Sequence, residues 1–159
     1  AERKTRFADY RAAIGDGRPE VEPVLIAFIE PTLRAGQSGT GGQAYRLLTG
    51  RMSTNPDPEV RHVLFDIFDE VGHEFSTLLR RALPHLSHDD FHWRLACVIG
   101  SMQYVLADNG RIQELAGADF SLSDVDKAMS YLIPFLAAGL KAPPSPAPRR
   151  MGNRPGLAL

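Results

Sequence analysis

Apolar residues between positions 60 and 82 recur every three or four positions, which is the repeat of one face of an α-helix. They are Val60, Val63, Leu64, Ile67, Phe68, Val71, Phe75, Leu78, Leu79 and Ala82. Asp57 can cap the helix, Pro58 suits its first position, and Leu83-Pro84 ends it. An apolar face of this length has to be covered by other elements of the fold.

The same repeat predicts five more helices, and no segment shows the alternation of a strand. The first covers residues 1–14, the second starts at Pro19 with a kink or end at Pro31, and the third covers residues 43–52. The fourth starts at Ser87 with Asp90 and runs to 107. The last is capped by Ser121 or Ser123 and interrupted by Pro134. Residues 36–42 are predicted as a flexible loop and residues 111–120 as a connector. The expected fold is therefore an all-α bundle of about six helices over residues 1–141, followed by a Pro-rich tail over 142–159.

Charge and cysteine content exclude some classes of protein. The net charge is -1, so the chain lacks the basic excess of a domain that binds nucleic acid by itself. Cys97 is the single cysteine, which excludes an intrachain disulfide and fits a cytoplasmic location. Charged residues interrupt every apolar run, and four of the first six residues are charged, so neither a membrane span nor a signal peptide is predicted.

Residues 93–107 are apolar almost all round the predicted helix, since only Arg94, Ser101 and Gln103 are clearly polar there. Such a helix needs cover on more than one side. In a domain of this size the core covers one side, and we expect a second subunit to cover the other. Gly100 would allow another helix to approach closely.

Aromatic and sulfur-containing side chains from several segments could line an interior pocket. The candidate ligand-binding residues are Phe28, Tyr45, His62, Phe65, Phe68, Phe75, Trp93 and Met102. Bends at Pro31 and Pro134 would leave room between helices. Gln103 and Arg46 could add polar groups to such a pocket. The alternative interpretation of each of these residues is plain packing in the core.

Two histidines raise the alternative of a small metal-dependent helical enzyme. His88 and His92 stand four apart, with Asp89 between them, and this spacing can hold a metal. A polar helix start explains the same residues, and no second group of ligands follows. Cys97 lies in an apolar run, and residues 39–42 lack the Lys and Ser/Thr of a phosphate-binding loop. We predict no catalytic residue, metal site or cofactor; a structural adaptor without a ligand is the remaining alternative.

Several segments resemble the C-terminal domain of the TetR/AcrR transcriptional regulators. They are residues 27–34 (AFIEPTLR), 45–51 (YRLLTGR), 58–61 (PEVR), 75–86 (FSTLLRRALPHL) and 93–95 (WRL). Together they resemble a subgroup that includes regulators of fatty-acid metabolism. The resemblance follows the order and spacing of residues 1–141.

The resemblance implies a ligand-sensing repressor domain that forms a homodimer and is not an enzyme. In the family the last two long helices form the interface, here residues 89–108 and 123–140. The candidate interface residues are Leu95, Ile99, Gly100, Val125, Met129, Leu132 and Leu136. A helix-turn-helix domain that contacts operator DNA normally precedes this domain and is absent from the chain. The implied effector is a small hydrophobic or amphipathic molecule, more narrowly an acyl compound, that changes the spacing of the DNA-reading heads.

Overall fold

The computed structural model describes residues 2–53, 57–117 and 119–145, without the side chains of residues 52–53, 58 and 60–69. This part of the chain holds seven helices and no strand, which confirms the predicted all-α class. They are α1 (Glu2–Ile14), α2 (Val21–Ala35), α3 (Gly39–Ser53), α4 (Pro58–Ala82), α5 (His88–Ala107), α6 (Arg111–Ala116) and α7 (Val125–Lys141). Among these helices, none is both long and apolar enough to cross a bilayer.

Helix α2 lies at the centre of the domain and packs against α1, α4, α5 and α7. Its side chains Val24, Leu25 and Ile29 are fully buried. Helix α1 contributes a single buried residue, Phe7, so polar contacts hold the rest of α1 on the body. One of these is the ion pair between Arg6 and Glu30 on α2, at 2.6 Å.

The starts of α4 and α5 follow the sequence prediction because local side chains satisfy their free amides. The Asp57 carboxylate accepts a hydrogen bond from the Glu59 amide at 2.9 Å. The Ser87 hydroxyl accepts one from the Asp90 amide at 3.1 Å. Both helices end where the sequence predicts.

The predicted loop over residues 36–42 is wrong in its second half, because α3 begins at Gly39 instead of 43. The reason is a close approach between helices. A Cβ atom at Gly42 would lie 2.7 Å from the carbonyl oxygen of Gly36, so a glycine lets the first turn of α3 pack on the end of α2. Gly42, which indicates a flexible loop in the sequence, therefore serves as a packing contact.

Three further local features differ from the prediction. The connector predicted over 111–120 contains the short helix α6, and α7 is capped by Asp124, whose side chain accepts from the Lys127 amide at 3.0 Å. Ser121 and Ser123 instead bond to each other in the preceding turn. Pro31 and Pro134 lie inside helices that continue to Ala35 and Lys141, so neither proline ends its helix, and the predicted kink stays a prediction. Of the predicted tail, only residues 142–145 fall within the described part.

Arg94 on α5 holds the end of α7. Its guanidinium, with a side chain only 12% exposed, donates to carbonyl oxygens at 2.7–3.0 Å. The acceptors are the carbonyls of Gly139, Leu140, Ala142 and Pro143. Asp90 accepts from the Ser145 amide at 2.9 Å and lies 3.5 Å from the Arg94 guanidinium. A cation at a helix C-terminus is favourable, so this pair stabilises the end of α7 and the first residues after it.

We predict that acid releases this contact. Hydrogen bonding from Ser145, aided by the charge of Arg94, holds the pKa of Asp90 below its usual value. A lowered folded-state pKa adds stability above the unfolded pKa of about 3.9, and that stability is lost as the pH falls through the folded-state value. Hydrogen exchange between about pH 5 and pH 2 should show the protection factor of the Ser145 amide falling with acid. In Asp90→Ala, which removes the acceptor, the protection should be low and independent of pH; a pH-independent wild type would contradict the prediction.

Candidate functional site

Helix α5 presents a stripe of apolar residues to solvent. Trp93, Cys97, Gly100 and Tyr104 follow one another at spacings of four, three and four, so they share one side of the helix. The Trp93 side chain is 76% exposed and Tyr104 is 41% exposed. The opposite side of α5 packs in the core through Val98, among others. An exposed aromatic stripe opposite a buried one is the pattern of a helix between two packed layers.

Helix α7 continues this surface. It packs on α5 in the antiparallel direction, because Arg94 near the start of α5 contacts the end of α7. Tyr131 and Phe135 on α7 are 72% and 73% exposed. Both point away from the buried residues of their own helix. We call this surface the apolar face: Trp93, Cys97, Gly100, Tyr104, Tyr131 and Phe135.

The predicted interface residues divide between the surface and the core. Ile99 and Gly100 are exposed, and Leu95 and Met129 are half-buried against the core. The structure buries Val125, Leu132 and Leu136, which corrects the expectation that they are free to meet a second subunit.

Helix α7 has a broad apolar surface that includes Tyr131, Leu132, Phe135 and Leu136, so its sequence does not indicate which part of that surface meets the domain core. The structure turns Leu132 and Leu136 toward α2 and leaves Tyr131 and Phe135 outside. Tyr131, Phe135 and Tyr104 were not predicted as interface residues. The signal that could have identified them is their type, because Tyr and Phe are enriched at subunit interfaces.

The predicted pocket residues are also divided. Phe28 and Phe75 are buried and stack at 3.9 Å between ring centroids, nearly parallel at 7°. Met102 is buried and Tyr45 is half-buried. Trp93 lies on the apolar face, which corrects its placement in an interior pocket. The side chains predicted at His62, Phe65 and Phe68 lie outside the described part of the structure.

One buried polar atom on α5 lacks a partner. The amide oxygen Oε1 of Gln103 on α5 is buried and accepts no hydrogen bond from any described residue. Gln103 adjoins Met102 in sequence, and α5 packs against α3, which carries Tyr45. A buried acceptor without a donor costs about 1–3 kcal/mol. The position therefore suits a donor from a bound molecule or a water.

The histidine pair has the geometry of a helix start. The rings of His88 and His92 lie 4.1 Å apart between centroids, and His92 Nδ1 bonds the His88 carbonyl at 2.8 Å. Asp89 is exposed beside them. Within the described residues, no three His, Cys, Asp or Glu side chains come together in a way that could hold a metal.

The comparison with known families identifies the class of protein. The family described as tetracyclin repressor-like, C-terminal domain, matches residues 26–139, which is more than half of the chain. The chain belongs to this family of transcription regulators, which are not enzymes and which generally act as homodimers that bind DNA and small molecules. No curated protein and no solved structure gave a significant match.

Proposed function

We propose that the chain is the effector-binding and dimerisation domain of a transcription repressor, and that the apolar face joins two copies of it. The observation that carries this proposal is the exposure of four aromatic side chains on two adjacent helices. A monomer rarely leaves such a patch in water. The face therefore requires a partner. Because members of the family generally form homodimers, a second copy of this chain is the proposed partner.

The size of the face supports this partner. An interface of standard size buries about 800 Å² on each subunit. An aromatic side chain that becomes fully buried contributes roughly 150–250 Å². Trp93, Tyr104, Tyr131 and Phe135 together supply much of that area. Gly100 lies among them and allows close helix packing.

The proposed effector is an apolar or amphipathic small molecule, more narrowly an acyl compound. Phe28, Phe75 and Met102 supply an apolar surround, with Gln103 offering an unpaired acceptor. The effector would act by binding one arrangement of the dimer more tightly than another. Contact with operator DNA would come from a helix-turn-helix domain that precedes α1. Such a regulator would work in the cytoplasm.

Gly100→Glu tests the interface. Space around Gly100 is open, since nothing lies within 4 Å of a Cβ atom placed there, so the folded single chain accommodates the larger side chain. Glu is also a better helix former than Gly by roughly 0.5–1 kcal/mol. We expect light scattering to report a dimer for the wild type and a monomer for the variant, with unchanged helix content.

Gly41→Glu is the matched control, because Gly41 is exposed on α3 and its surroundings are equally open. It should remain a dimer at every concentration at which the wild type is one. A dimeric Gly100→Glu, or a monomeric wild type at high micromolar concentration, would contradict the proposed interface.

A further inference from the structure

A groove of about 710 Å³ opens beside the apolar face, between the end of α5, the segment before α7 and the first half of α7. Its walls are mainly apolar. They include Val105, Phe120, Leu122, Lys127, Tyr131 and Phe135. None of the residues predicted to bind an interior ligand lines it. The groove is therefore a separate place in the fold, on the surface of the domain.

The shape of the groove is that of a small-molecule site. Its volume falls within the roughly 300–1,000 Å³ of typical ligand pockets. Side chains of Ala128, Tyr131 and Leu132 on α7 line the hollow together. Phe120 and Leu122 come from an irregular segment and are only half-buried. The apolar side chains around such a hollow bury the most surface against a ligand whose apolar part is narrow enough to enter it.

One charged side chain lines the groove. Lys127 is exposed, and its ammonium group makes no ion pair or hydrogen bond with any described residue. Two other cations at α7 are engaged: Arg34 pairs with Asp126, and Lys141 pairs with Glu22. A free cation beside an apolar hollow is complementary to a molecule with one negative end.

We propose that this groove binds an amphipathic anion, a soluble molecule with a narrow apolar body and a single carboxylate. The body lies against Phe120, Leu122 and Phe135, and the carboxylate meets the Lys127 ammonium. Tyr131 and Phe135 belong to both the groove and the apolar face. A second subunit on that face would lie next to the bound molecule, so occupancy and subunit association are linked.

Calorimetric titration of the full chain with decanoate, below its micelle-forming concentration, tests the proposal. We expect saturable binding that Lys127→Met weakens about tenfold, the loss of one charge-assisted hydrogen bond. Decanol has the same body without the charge, and its affinity should change less than twofold in Lys127→Met. Ala128→Trp fills the groove from α7 and should abolish binding of both probes.

Lys141→Met is the matched control, since it removes a lysine from the same helix outside the groove, and it should leave decanoate binding unchanged. Equal affinity of wild type and Lys127→Met for decanoate would overturn the proposal. Sedimentation of the protein with anionic phospholipid vesicles, in preference to binding decanoate, would also overturn it. A third contrary outcome is that Lys127→Met and Ala128→Trp both dissociate the dimer while no probe binds. Light scattering on the same samples separates failure of the groove proposal from failure of the proposed function. A wild-type dimer that binds no probe would contradict only the proposal for the groove.

Discussion

Leu132→Asp should unfold the domain, whereas Phe135→Asp should leave it folded and separate its subunits. The two residues stand three positions apart on α7 and differ chiefly in what surrounds them. Leu132 is 9% exposed and packs in the core, while Phe135 is 73% exposed on the apolar face. The same chemical change therefore tests two different layers of the structure.

The expected effect at Leu132 is large because a buried carboxylate without a partner is strongly unfavourable. We expect the free energy of unfolding to fall by more than about 4 kcal/mol, much of the total stability of a domain this size. Urea denaturation followed by circular dichroism measures the loss. In Phe135→Asp the new aspartate stays in water on the separate subunit. The unfolding midpoint of this variant should therefore approach that of the folded monomer.

The reciprocal result decides which side of α7 meets the partner. A folded, monomeric Leu132→Asp together with an unfolded Phe135→Asp would reverse the assignment of the two sides. Leu115→Asp is the control, because Leu115 is 70% exposed on α6 and is not one of the residues of the apolar face. It should remain folded and dimeric.

Phe75→Ala should lower the free energy of unfolding by about 3–5 kcal/mol, the usual cost of removing a buried aromatic ring. Phe75 is 1% exposed, stacks on Phe28, and lies 6.4 Å from Phe7 between ring centroids. It therefore joins α4 to both α2 and α1. Because Phe7 is the one buried residue of α1, the loss should also loosen that helix.

Two measurements check this prediction. Urea denaturation gives the global loss, and hydrogen exchange should show α1 amides losing protection more than those of α7. Phe75→Leu retains most of the apolar volume and should cost less than about 1.5 kcal/mol. A Phe75→Ala protein as stable as Phe75→Leu would show that the stacked rings add little to the core.

Local features of this chain follow directly from its sequence. The three-and-four repeat of α4, its Asp57-Pro58 start and the Ser87 cap of α5 each depend on side chains a few residues apart. These interactions need no distant partner, so the pattern predicts them. The resemblance to a regulator domain depends on such segments as well, and the family match over 26–139 confirms it.

The sequence predicted local contacts less well where a distant element intervenes. Gly42 indicates a loop by composition, yet it lies in a helix because the end of α2 passes within contact distance. Trp93 resembles a pocket residue by type, yet it lies outside because Phe91 and Val98, on the opposite side of α5, are the residues that pack in the core.

The sequence by itself determined that the chain forms a helical domain with more apolar helix surface than one core can cover. Only the tertiary structure decided which surface remains uncovered. On a helix with a broad apolar surface, burial energy is similar for several rotations about its axis. Packing against α2 selects one rotation of α7, and this choice places Tyr131 and Phe135, rather than Leu132 and Leu136, where a partner can reach them.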